Sequence, residues 1–101
     1  MYIYNITINI DKSIQTDWLR WMDQTQLPVT LSDARFSSAE LFEILVDEEL
    51  GGVSYSFQLH ASEYQTIQNY AQEYLSSYMA LMDRSFSGKY VTFATSIKRV
   101  L

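Results

Sequence analysis

Gly51-Gly52-Val53-Ser54-Tyr55-Ser56-Phe57-Gln58-Leu59-His60-Ala61, followed by Ser62-Glu63-Tyr64-Gln65, decides the fold. Val53, Tyr55, Phe57 and Leu59 fall on one side of an extended chain, and Ser54, Ser56, Gln58 and His60 on the other. Such period-two alternation describes a strand with one buried and one wet face. With Glu48, Glu49 and Leu50, the two glycines form a hairpin tip, where they supply positive φ. Ser62 to Gln65 reads as a capping box that opens a helix. A hairpin-linked strand running straight into a helix is half of a strand–helix–strand pattern, and the flanking sequence supplies the rest.

Upstream, Tyr2, Tyr4, Ile6, Ile8 and Ile10 alternate with Asn5, Thr7 and Asn9, predicting a first strand with one buried face. Asp11 is a candidate N-cap. Ile14, Trp18, Trp21 and Met22 share a helical stripe with Leu19 at its edge, opposite Asp17, Arg20, Asp23 and Gln24. Pro28 biases Leu27 away from helical angles, so this helix should end near Gln26, with Leu27 to Ser32 as a connector. From about Arg35 to Asp47 runs a second strand with two apolar faces. Ala39, Leu41 and Leu45 point one way and Phe42, Ile44 and Val46 the other, which calls for burial on both sides or a bulge.

Downstream, the second helix carries Tyr64, Ile67, Ala71, Tyr74, Leu75, Tyr78 and Met82 on one arc and ends between Ser85 and Gly88. Lys89 to Leu101 is a last strand, with Val91, Phe93 and Ile97 on one face and Tyr90, Thr92, Ala94 and Ser96 on the other. The order is therefore βαββαβ. The chain of 101 residues suits one domain: an α+β, ferredoxin-like antiparallel sheet of four strands with two helices on one face.

Composition narrows the class. A net charge of −5, with seven Lys and Arg scattered except for Lys98-Arg99, argues against nucleic acid and against an anionic membrane surface. The chain contains no cysteine, which removes disulfides, thiolate nucleophiles and Cys-ligated metals. Tyr2 to Thr7 offers neither a basic leader nor an apolar run, so no signal peptide or membrane span is expected, and a cytoplasmic location is the default.

The sheet face without helices is predicted to present Asn5, Thr7 and Asn9 from the first strand and Ser54, Ser56, Gln58 and His60 from the third. Thr92, Ala94 and Ser96 are expected to join them. Small polar residues suit solvent. The two-sided second strand and the surplus of aromatics (eight Tyr, five Phe, two Trp) instead call for a partner. Two such sheets packed face to face in a homodimer supply that partner and enclose a polar-lined cavity for a small ligand.

Four stretches carry a resemblance. They are Tyr4-Asn5-Ile6-Thr7-Ile8-Asn9-Ile10, Trp18-Leu19-Arg20-Trp21-Met22, Leu45-Val46-Asp47-Glu48-Glu49-Leu50-Gly51-Gly52-Val53-Ser54-Tyr55-Ser56, and Gly88-Lys89-Tyr90-Val91-Thr92-Phe93. Together they resemble an uncharacterised bacterial family, domain of unknown function 4286, almost end to end. The resemblance implies a dimeric α/β-barrel type of fold and brings no activity. Relatives by fold include cofactor-free monooxygenases, haem-degrading enzymes and small isomerases. Asn5 matches the asparagine that the haem-degrading enzymes and monooxygenases place on this strand. Here, however, both tryptophans lie on the first helix and the second helix has no histidine, which tells against either chemistry.

No catalytic constellation stands out, and no cofactor is implied. His60 is the single histidine; without partners it reads as a strand-end residue rather than a base or ligand. Asp47, Glu48 and Glu49 read as a charged turn that discourages edge pairing, and they lack the alternating oxygen ligands of a calcium loop. Ser54 and Ser56 have no nucleophile elbow, and Gly51-Gly52 has no phosphate-loop context. Trp18 with Trp21, and Tyr74 with Tyr78, are core pairs. Two readings remain: a non-catalytic homodimeric barrel binding a small ligand or partner, and a cofactor-independent enzyme using His60, Asn5, Gln58 and a tyrosine in the cavity. The bare face offers the second reading no acid–base pair.

Overall fold

The two strictly alternating segments become the central strands of the sheet. In the computed structural model, which describes residues 1–45 and 51–101, β1 (Tyr2–Ile10) and β3 (Val53–Ala61) pair antiparallel, with Ile6 opposite Phe57. β2 (Ser38–Ile44) flanks β3 and β4 (Tyr90–Lys98) flanks β1, giving the antiparallel order β2-β3-β1-β4. This is the ferredoxin-like arrangement, with both helical runs on one side. Val46, Asp47, Glu48, Glu49, Leu50 and the side chain of Leu75 lie outside the described residues. The hairpin glycines have positive φ (79° and 77°), and a Cβ on Gly52 would lie 2.6 Å from Asn9 Oδ1.

Tyr4, Ile6, Ile8 and Ile10 of β1 and Tyr55, Phe57, Leu59 and Ala61 of β3 are buried beneath the helices. The helical runs meet them with Trp18 and Met22 on one side and Ile67, Tyr74, Tyr78, Met82 and Phe86 on the other. Tyr74 stacks on Tyr78 at 4.6 Å between centroids, and Tyr78 in turn packs against Phe57 and Trp21. Most of the aromatic surplus is thus core, and it needs no partner chain.

Both helical runs differ from expectation in the same way. Asp11 does cap the first, accepting from the Ser13 N–H. After α1 (Gln15–Trp21), however, the chain passes through a π turn (Met22–Gln26) and continues as α2 (Leu27–Leu31). Leu27 is helical (φ −64°, ψ −47°) despite preceding Pro28. The second run has the same construction: α3 (Tyr64–Glu73), a π turn (Tyr74–Tyr78) and α4 (Met79–Phe86).

The buried positions give a physical reason. Trp18, Met22, Gln26 and Thr30 are buried four residues apart, as are Tyr74, Tyr78, Met82 and Phe86. Each step of four overshoots an α-helical turn by about 40°, so the stripe would drift off the sheet. A wider π turn holds it in place, and it also spreads the backbone ahead of the Pro28 ring, which would otherwise press on a carbonyl four residues back.

Three other expectations are corrected. Ser62 to Gln65 forms no capping box, because the N-cap is Glu63 and its side chain makes no capping bond. Gln65 then falls at the second helical position rather than the third and donates to Asn69 instead. The second strand begins at Ser38 and ends at Ile44; Leu45 is exposed beyond it, and Arg35 belongs to the preceding turn, where its guanidinium clasps Asp33 and Glu73.

The third correction concerns β4. Thr92, Ala94 and Ser96 pair with Ile8, Ile6 and Tyr4, which puts them on the helix side; Val91, Phe93 and Ile97 face away. Period two defines two faces but not which is inward. Here Tyr90, half-buried, packs against the edge of the core and donates its hydroxyl to Asp83 of α4, which fits the face the register gives.

Two predictions follow from this core. Phe57 is fully buried on a central strand, so Phe57→Ala should lower stability by about 3–5 kcal/mol in chemical denaturation; a loss below about 1 kcal/mol would overturn its placement. Burial pushes the phenols of Tyr70 and Tyr74 from the usual 10 up to about 12. The unfolded chain therefore gives up these protons first. The stability linked to them is complete below pH 10 and is lost as pH rises from 10 through about 12. Phenolate absorbance and circular dichroism should then change together across that window, and ionisation of all eight tyrosines near pH 10 with the fold intact would refute it.

Candidate functional site: the open sheet face

The register sets four cross-strand rows on the face turned away from the helices. They run Ile44-Ser54-Asn9-Val91, Phe42-Ser56-Thr7-Phe93, Glu40-Gln58-Asn5-Thr95 and Ser38-His60-Ile3-Ile97. All seven residues expected on this face, Asn5, Thr7, Asn9, Ser54, Ser56, Gln58 and His60, are on it and half-buried. Their strands, β1 and β3, form its middle. The edge strands form its margins, and these are largely apolar. Val91, Phe93 and Ile97 on β4 are 68%, 65% and 45% exposed, and Phe42 on β2 is 46% exposed. Sequence reasoning missed the β4 margin because it assigned those residues inward.

The polar middle is wired together. Gln58 Nε2 donates to Ser56 Oγ at 3.2 Å, Ser56 donates to Asn5 Oδ1 at 2.5 Å, and Asn5 Nδ2 donates to Thr7 Oγ1 at 3.3 Å. Asn9 Nδ2 donates separately to Ser54 at 2.9 Å. No member of this network is ionisable.

Within these four rows the ionisable groups are Glu40 and His60. His60 Nε2 lies 3.3 Å from Glu40 Oε1, on the adjoining strand, without the alignment of a hydrogen bond. The face does, then, hold an acid beside its histidine, contrary to expectation. The signal was available, since Glu40 shares the parity of Phe42 and Ile44, but β2's two apolar sides obscured it. No hydrogen bond joins His60 to Asn5 or Gln58, so the imidazole stands apart from the wired middle.

Concavities of about 340 and 270 Å³ open at the two ends of the face, the first by Asp11 and Lys89 and reaching Asn9 and Val91, the second by Tyr2 and Tyr64 and reaching Ile97; one of about 310 Å³ lies away from it, by Leu19 and Leu41. None is lined by Asn5, Ser56 or Gln58. A cavity over these residues therefore needs a second surface. Among the described residues, no three His, Asp or Glu side chains gather as metal ligands, and no helix is long and apolar enough to cross a membrane.

Comparison with known proteins places this architecture. The family model described as Domain of unknown function (DUF4286) matches residues 1–100. The crystal structure of At3g17210 from Arabidopsis thaliana superposes with a TM-score of 0.63 at 8% identity, over 98% of each chain, which is a likeness of fold. No curated protein matches the chain.

The wired middle predicts a measurable contribution. Asn5 both accepts and donates, so Asn5→Ala should cost about 1 kcal/mol in urea unfolding at fixed protein concentration. No change would mean that water replaces the network without loss.

Proposed function

We propose that this chain, which belongs to the family described as Domain of unknown function (DUF4286), is a non-catalytic bacterial protein of the cytoplasm that pairs through its open sheet faces and holds a small ligand between them. The observation that carries this reading is the apolar margin of the face. Val91 and Phe93 stand exposed side by side along β4, with Ile97 beyond Thr95 on the same face and Phe42 across the sheet. Scattered exposed apolar residues are ordinary, but several gathered on one face beside a polar middle suit an interface.

Size and edge chemistry support it. Four strands of this length present a face of roughly 550 Å² before side-chain relief is counted. A stable interface uses about 800 Å² per partner, so the face supplies most of it. β4 carries no charge between Tyr90 and Ile97, so covering this margin of the face would bury no ion. A cytoplasmic setting agrees with the absence of cysteine, since no disulfide is needed to hold the fold.

The cofactor-independent enzyme draws on the Glu40–His60 pair. That pair adjoins the polar middle, with Glu40 opposite Gln58, but no hydrogen bond ties either member to the network where a ligand would be held, so the binding reading has the greater support.

Light scattering at low micromolar concentration should give twice the monomer mass of 11.8 kDa. Phe93→Asp, which puts a charge into the apolar margin, should shift the protein to monomer without unfolding it. A wild-type mass of 11.8 kDa under these conditions defeats the proposal.

A further inference from the structure

We infer that the ligand of this face is a small uncharged molecule of the carboxamide class, and that carboxylate analogues are refused. The inference rests on the sheet-paired dimer of the preceding proposal and adds the chemistry of what it holds.

The direction of the wiring carries the argument. Gln58 donates to Ser56, Ser56 to Asn5, and Asn5 to Thr7, so each hydroxyl or carbonyl in the middle already receives a proton from its neighbour. Within this chain of bonds, Gln58 retains its Oε1 as an acceptor and one N–H as a donor. An acceptor and a donor on one planar group are complementary to a second carboxamide, which presents the same two functions in reverse. Asn5 holds a further N–H beside them, so a carbonyl oxygen over the sheet can be met twice.

Charge supplies the selectivity. No Lys or Arg side chain faces the middle among the described residues, and the nearest formal charge belongs to Glu40, opposite Gln58. A carboxylate enclosed here would exchange its water for neutral amides beside another carboxylate, and an unpaired buried anion is costly. A neutral amide suffers no such loss. Phe42 and Phe93 lie at opposite ends of the neighbouring row, three strand spacings apart. That is roughly 14 Å between their backbones, a span that leaves room for a flat apolar body between the rings.

Benzamide and benzoate, which share a ring and a shape, provide the test on the full chain. Titration followed by NMR should show benzamide shifting the side-chain amide signals of Gln58 and Asn5 to saturation. Benzoate should bind at least about tenfold more weakly, and Gln58→Glu should weaken benzamide by about tenfold, the loss of one good hydrogen bond. Sedimentation on the same samples separates the two proposals. A dimer that binds neither probe, or both equally, or whose benzamide affinity is untouched by Gln58→Glu, overturns the ligand class and leaves the dimer standing. A monomer overturns both.

Discussion

The antiparallel pairing of β1 with β3, with Ile6 against Phe57, is the constraint on which the rest depends. Opposed residues of an antiparallel pair share a face, so this register puts Tyr4, Ile6 and Ile8 with Tyr55, Phe57 and Leu59. It puts Asn5, Thr7 and Asn9 with Ser54, Ser56 and Gln58 in the same stroke. A slip of one residue would turn the four buried side chains of one strand to water and bury an unserved polar row. The helices have one surface to cover as a result, and the hydrogen-bonded middle exists because its members were brought opposite one another.

The helices adapt to that surface rather than to their own period. Burial at every fourth position, from Trp18 to Thr30 and from Tyr74 to Phe86, exceeds what an α-helix can keep in line. Each run contains one π turn, and the two touch where the Tyr78 hydroxyl meets Met22 Sδ at 3.6 Å. Pro28 follows the first π turn instead of ending the helix. Local preference at Leu27 yields to packing, as propensities do when a buried stripe of this length opposes them.

The two faces of the sheet end up with different chemistry. The covered face is aromatic and aliphatic throughout β1 and β3. The open face is polar at its middle and apolar at its edges, the reverse of an interface with a dry centre and a wet rim. Pairing two such faces, as proposed above, would join apolar margin to apolar margin and enclose the amides and hydroxyls between them. Enclosure would give those groups their importance, since a hydrogen-bonding group removed from water must find a partner or lose stability.

Sequence alone determined the element order, the inward faces of β1 and β3 and the seven polar residues of the open face, because period-two alternation is read off the chain without knowledge of its neighbours. It also located Ile67, Tyr74, Tyr78 and Met82 on one stripe, although not the π turn that keeps them there. Tertiary structure decided what alternation leaves open. β4 has two faces that alternation cannot rank, and its register with β1, which sets Thr92, Ala94 and Ser96 beside the buried Ile8, Ile6 and Tyr4, exposes Val91, Phe93 and Ile97. β2 is apolar on both sides, and its register with β3 alone brought Glu40 beside Gln58 and within 3.3 Å of His60. Period fixes which residues travel together; only pairing and packing fix which way they face and what they meet.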